Sequence, residues 1–429
     1  MKRLFIVSIL LISATITKAQ VESMQSQAKI INELLEDRLE NLLPKLMDST
    51  KIDCWVMATR EYNEDPIVKT FLPAEWLSAR RRTILVFYRD AKNNIYKKYA
   101  VARYPVGKQI QAAWNPEKNP DQWDALVGLL RTLHPKNIAL NYSENFGHAD
   151  GLDLTEYRAL LSHLNTQEKQ HIISAEPLAV AWLETRTENE LAYYPTLLKI
   201  THAIIKEGFS NKVINVNQTT AEDVVWWFRQ KLSDMGLSTW FHPSVEIQRR
   251  VTNDKDDIIR PGDFLHCDFG ISYLRLNSDV QEQAYVLLPN EQNAPNDLQE
   301  AFTKTNRLQD ILTGHFKLGV SGNQILASSL SQAKLEGITP SIYTHPIGFH
   351  GHAAGTIIGM WDMQGGVPGS GDYKMHKNTC YSIELNAMHN LKDWDKPVRV
   401  AIEQNGYFNG SAFKYIDERQ TKIHLINNK

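Results

Sequence analysis

The chain has 429 residues, more than one hydrophobic core usually serves, so two folding units are expected. Apolar residues make up 42% and charged residues 22%, the balance of a soluble globular chain. A formal net charge of −2 excludes a global field that would draw in nucleic acid or an anionic membrane.

The first twenty residues have the layout of a secretory signal. Lys2 and Arg3 open it, Leu4 to Ile16 is almost entirely apolar, and Thr17-Lys18-Ala19 places small residues at a cut. Cleavage after Ala19 is expected, leaving an exported product in the periplasm or outside the cell. An uncleaved anchor is the alternative, but the apolar stretch is short for a bilayer. The three cysteines, Cys54, Cys267 and Cys380, are too few and too scattered for a disulfide framework and read as small buried hydrophobes.

Residues 25–48 carry leucines and isoleucines at helical spacing and predict an amphipathic helix. Apolar runs at 52–58, 83–88, 95–101 and 137–140 then alternate with helical stretches near 121–133 and 153–164, which predicts a mixed α/β unit over residues 20–180. The run Arg80-Arg81-Arg82 reads as a solvated face. Residues 172–186 look like a link. Thr187-Glu-Asn-Glu190 is a capping box, and the helix after it is expected to kink or break at Pro195. Residues 181–429 then read helix pair, strands, helix pair, strands, with helices near 219–236, 297–316 and 321–336. The run Asp362 to Lys374, rich in glycine, predicts a mobile loop.

Chemistry concentrates in the second unit. Asp268 ends a strand over 264–269, and a second strand runs from about Asp279 to Leu287. A hairpin centred between Tyr273 and Leu274 would oppose Asp268 and Asp279 on one face, where two carboxylates repel unless a cation lies between them. Otherwise they are two unrelated surface acids. The stretch 344–355 packs His345, His350 and His352 among glycines that permit close approach. Glu384 and Glu403 each lie inside an apolar strand, where an ionised acid is costly unless paired or bound to metal. The alternative places each on a solvated strand face, with Arg399 and Glu403 as a structural pair.

The order Asp268, Asp279, His345, Glu384, Glu403 resembles the pita-bread metallopeptidases: methionine aminopeptidase, aminopeptidase P, prolidase and the metal-free relative creatinase. The likeness covers roughly residues 185–420 and, more weakly, the N-terminal unit. It implies an α+β protein, with a catalytic pita-bread unit preceded by a creatinase-like mixed α/β one. By resemblance, Asp268 holds one of two divalent ions, Asp279 and Glu403 bridge both, and His345 and Glu384 complete the other. Two such ions clamp a bridging water and polarise a carbonyl. Glu384 would take the water's proton, and His352, seven positions after His345, would contact substrate. His242, His350 and Arg399 are the remaining candidates for the substrate pocket. Manganese is the expected metal, with cobalt or zinc as alternatives. Two features depart from the family pattern: Leu385 follows Glu384 where Pro is common, and Ala401 stands where Arg is common.

The resemblance, the separate N-terminal unit and the exported location together predict an aminopeptidase that hydrolyses N-terminal Xaa-Pro bonds in peptides, with no nucleic-acid or membrane partner after signal cleavage. A homodimer is implied by resemblance alone. A dipeptidase of the prolidase kind and a non-catalytic binding protein on the same fold are the alternatives.

Overall fold

The computed structural model describes residues 21–251 and 256–428; the expected signal segment falls outside them. Among the described residues no helix is long and apolar enough to cross a membrane.

Residues 54–174 build a six-stranded sheet in the order Gln111–Ala112, Ile95–Val101, Arg82–Asp90, Cys54–Arg60, Ile138–Leu140, Ile172–Ser174. Its central strand, Cys54–Arg60, pairs antiparallel with Arg82–Asp90 and parallel with Ile138–Leu140. Six of its seven residues are buried, because helices cover both faces. The predicted first helix is observed as Met24–Asp37 and Leu43–Thr50, joined by one wide turn at Arg38–Leu42 that turns Arg38 inward.

The second sheet has six strands in the order Thr339–Ile342, Thr379–His389, Val398–Phe408, Val280–Val286, Phe264–Phe269, Ser244–Gln248, with three short strands attached. Leu265, Cys267, Phe269, Val280, Ala284 and Val286 face the helices Tyr194–Gly208 and Ala221–Asp234. A second core packs the helices Asn296–Gly314 and Gly322–Leu335 on the other half. Alternation along each strand therefore leaves His266, Asp268, Gln281 and Glu403 on the opposite, polar face. The helix breaks just before Pro195, as expected: the capping box closes a single turn, Glu188–Leu191, and Pro195 stands in the first turn of the next helix, Tyr194–Gly208, where its missing N–H costs nothing. Cys54, Cys267 and Cys380 are free and buried.

The hairpin joining the two aspartate strands differs from expectation. Tyr273 pairs with Leu276, so the turn is Leu274-Arg275 and its centre lies one position later than predicted. Both turn residues adopt left-handed backbone (φ 54° and 63°), which such tight hairpins need and which Asn-Gly usually supplies. Here tertiary contacts hold it: Leu274 is buried, and the Arg275 guanidinium donates to the carbonyls of Leu72 and Pro73.

Candidate metal centre

The shifted hairpin sets the register of the site. Asp268 opposes Gln281, not Asp279. Gln281 in turn opposes Glu403, and Glu403 opposes Glu384. Glu384, Glu403, Gln281 and Asp268 thus form one row across four neighbouring strands. Two residues along, His345 opposes Ser382 and Ser382 opposes Asn405, whose side-chain oxygen accepts from the backbone N–H of Asp279 at 3.0 Å. A period of two keeps both rows on the same face, so all five predicted ligands converge although Asp268 and Asp279 are diagonal rather than opposed.

The electrostatics of this patch call for a cation. Donor atoms of Asp268, Asp279 and Glu403 lie within 4.8 Å of one another, as do those of His345, Glu384 and Glu403, and of Asp279, His345 and His352. Burial pushes the carboxyls of Asp268, Asp279 and Glu384 well above the usual range, and the charge of Glu403 adds to it. His345 Nδ1 lies 2.9 Å from the Pro346 carbonyl, which only accepts, so Nδ1 donates there and Nε2 is the nitrogen left to ligate. Nε2 faces carboxylate oxygens of Glu403, Asp279 and Glu384, at 3.5, 3.7 and 4.0 Å. His345 Nε2, Asp268 Oδ1 and Asp279 Oδ1 are buried with no hydrogen-bond partner among the described residues. This donor set fits divalent ions with mixed oxygen and nitrogen ligands.

Surrounding groups orient the carboxylates. Gln281 Nε2 donates to Glu384 Oε1 at 2.8 Å and to Glu403 Oε2 at 2.9 Å, and its Oε1 accepts from His266 at 2.9 Å. Ser382 Oγ lies 2.6 Å from Glu403 Oε1. Asn405 Nδ2 donates to the Asp279 carbonyl at 2.9 Å. Sequence reading missed Gln281, although it lies two residues after Asp279 and shares its face by parity.

The other predicted residues spread out. His352 stands at the edge of the cluster, its ring 4.7 Å from that of His345; burial and His345 push its pKa down to about 4. Trp240 packs on it at 5.1 Å and leaves no room for a side chain at Gly351, where a Cβ would come within 2.2 Å of the indole. His242, from the same segment as Trp240, turns away: Arg229 donates to its ring at 3.0 Å, and it lies against Trp226. Its predicted pocket position belongs to Trp240. His350 stacks on His148 of the N-terminal half at 4.0 Å and lines a separate cavity of about 640 Å³ with Trp76, Arg275 and Phe349. Arg399 reaches Glu246 at 3.5 Å, and the alternative Arg399–Glu403 pair is not formed. Residues 362–374 carry turns and are tied to the start of the helix Gly322–Leu335: the Asn323 side chain bonds to both Val367 and Asp372.

A model of metallopeptidase family M24 matches residues 196–409. The chain belongs to that family and has its α+β pita-bread fold, preceded by the mixed α/β N-terminal half. The family depends on divalent metal and acts on peptides. No protein of curated function matches the chain in sequence. In structure it is similar to the X-Pro aminopeptidase of Thermotoga maritima, with TM-score 0.63 and 14% identity over 89% of this chain and 99% of that one. The Xaa-Pro dipeptidase of Bacillus anthracis gives 0.56 and 13% over 94% and 100%. The N-terminal domain of the FACT complex subunit SPT16 from Cicer arietinum gives 0.57 and 13% over 92% and 95%. Identities this low establish the fold alone.

Proposed function

We propose that this protein is an exported, dinuclear-metal-dependent aminopeptidase that hydrolyses the N-terminal Xaa-Pro bond of peptides. The observation that carries the reading is the pair of residue rows on one sheet face, where donor atoms of Asp268, Asp279, His345, Glu384 and Glu403 fall into overlapping groups and those of Asp268, Asp279 and His345 include buried atoms without a hydrogen-bond partner among the described residues. Asp268 would help hold one ion, His345 and Glu384 the other, and Asp279 and Glu403 both. Manganese suits this set, with cobalt and zinc as alternatives. Bound there, the ions would supply Lewis acidity for the scissile carbonyl and lower the pKa of an attacking water.

The chain's own residues do the rest. Glu384 Oε1 is tied to Gln281, which leaves Oε2 to take the water's proton and return it to the leaving nitrogen. His352, held neutral at the rim, donates to the substrate carbonyl region, and Trp240 fixes its ring. The likeness to both an X-Pro aminopeptidase and an Xaa-Pro dipeptidase supports proline at the second position. The signal-like start supports export, and resemblance supports a homodimer.

The test is incubation of metal-loaded protein with peptides of two or more residues bearing Pro or Ala second, with products read by mass spectrometry. Release of only the first residue from longer Xaa-Pro peptides is the expected result. Cleavage of dipeptides alone would make it a dipeptidase. No cleavage with any metal, together with no bound metal, would leave a non-catalytic protein on the fold. Asp279→Asn and Glu403→Gln should each abolish turnover and lower metal content.

A further inference from the structure

Three strand ends meet at one edge of the N-terminal sheet: Arg60 pairs with Arg82, and the neighbouring strand ends at Val101, two residues before Arg103. Together with Arg80 and Arg81 they bring five guanidinium groups around a single cavity of about 810 Å³, within the range of small-molecule sites. The run that reads as a solvated face in the sequence is the lip of this cavity.

Two of the five charges are neutralised. Arg82 reaches Glu156 at 2.6 Å, and Arg60 reaches Glu156 at 3.3 Å and Asp153 at 3.4 Å. Among the described residues no carboxylate lies within 4.0 Å of the charged groups of Arg80, Arg81 or Arg103. Aromatic faces hold two of them instead. The Arg80 guanidinium lies 4.4 Å from the Trp76 ring centre and 5.6 Å from that of Tyr104, and Arg103 lies 5.5 Å from that of Trp114. Trp114 is itself anchored by its indole N–H on the Asn119 carbonyl at 2.8 Å.

Arg81 adopts a left-handed backbone, φ 54°, which is unusual for a residue with a side chain. Glu61 clamps it there: its N–H donates to the Arg81 carbonyl at 2.7 Å, and its carboxylate accepts from the Arg81 N–H at 3.3 Å. Gln122 closes the floor by donating to the carbonyls of Val101 and Arg82. Like charges gathered at one point work against folding, yet the fold gathers them here rather than dispersing them. An unpaired guanidinium fork matches the geometry of a carboxylate or phosphate.

We propose that this cavity is a binding site for a small ligand carrying two or more oxyanion groups, phosphate or carboxylate, gripped by Arg80, Arg81 and Arg103. The site lies in the N-terminal half, apart from the carboxylate rows, and stands whether or not the peptidase reading does. The probes are a hexose 1,6-bisphosphate and tricarballylate, each titrated calorimetrically into the full protein at low salt with manganese in excess. The two arms separate a phosphate ligand from a carboxylate one. Saturable binding of either, weakened by added salt and weakened at least tenfold in Arg80→Gln/Arg81→Gln/Arg103→Gln, is expected. The substituted side chains are exposed at the cavity lip, and an unchanged melting temperature checks that the variant folds. Absence of saturable binding by both probes, or equal binding by the folded triple variant, would overturn the proposal.

Discussion

Substituting Glu190 by Ala tests how far the N-terminal half holds the site in shape. Glu190 is the carboxylate ion-paired with two buried guanidiniums: Arg38 at 2.7 Å and Arg186 at 3.0 Å, each residue 1% exposed. Burial already pulls Arg38 down to about 10, against the attraction of Glu190, and Arg186 pulls the same way as burial. Removing the carboxylate leaves two adjacent buried cations without their ion-pair partner. Breaking a buried pair costs about 3–5 kcal/mol. The same carboxylate accepts from the N–H of Thr187 in the capping box at 2.8 Å, and losing that cap adds roughly 1 kcal/mol. The expected loss is therefore about 4–6 kcal/mol, read by urea denaturation followed by tryptophan fluorescence. Glu190→Gln keeps the cap acceptor and volume, and should recover only the smaller part. A loss below about 1 kcal/mol for Glu190→Ala, or a Gln variant as stable as the parent, would show that the two arginines do not need the charge.

Three further outcomes follow from the site and its surroundings. Gln281→Leu removes the donor shared by Glu384 and Glu403, so metal affinity measured by calorimetry should fall about 10- to 100-fold, and unchanged affinity would dismiss the orienting role. Gly351→Ala forces Trp240 off His352, so kcat/KM should drop on the order of 10- to 100-fold while metal content stays the same; full activity would show that Trp240 does not position His352. At His202, burial opposes the charged ring, but the hydrogen bond to Asp417 and the charges of Glu282 and Asp417 outweigh it and raise its pKa. A histidine pKa raised in the fold gives stability that is complete below the ordinary value of about 6.5 and is lost as pH rises through the folded value. His202→Asn should thus cost more stability at about pH 6 than at about pH 9 in urea melts, and equal costs at both would refute the assignment.

Much of the site was legible because strand parity is a strong constraint. Asp268 and Asp279 share a face whether the hairpin centre lies at 273–274 or 274–275, so the error in register left the convergence intact. The register itself was hidden because Leu274-Arg275 carries none of the usual turn residues; its left-handed backbone is held by Leu72 and Pro73, some two hundred positions away. Gln281 shares that face in either register, but only the true register sets it between Asp268 and Glu403. His242 and Trp240 differ by an even step, yet the irregular backbone before Ser244–Gln248 breaks the alternation, so parity gave no guide there. The arginine run is exposed at Arg80 and Arg81, as a solvated face should be, but one charged residue beside another says nothing about Arg60 and Arg103, which only strand pairing brings to the same edge.

The loop that carries the histidines shows why the N-terminal half matters to the chemistry. His345 and His352 bracket a stretch with little regular structure, which on its own would not hold a ring to a fraction of an ångström. It is instead fixed from several sides. Phe349 lies between the guanidiniums of Arg38 and Arg186, at 4.8 and 4.7 Å. The Gly348 carbonyl accepts from both the backbone and the side chain of Asn277, two residues before Asp279. His350 stacks on His148, and Gly351 packs beneath Trp240. Arg38 and His148 come from the N-terminal half, so the stretch from Phe349 to His352 leans on residues that never touch the metal centre, whereas His345 is held by its strand pairing with Ser382. Loosening Arg38, as in Arg38→Met, should therefore lower kcat/KM through His352 while metal content stays the same, and loss of metal with unchanged kcat/KM per bound metal would refute that division.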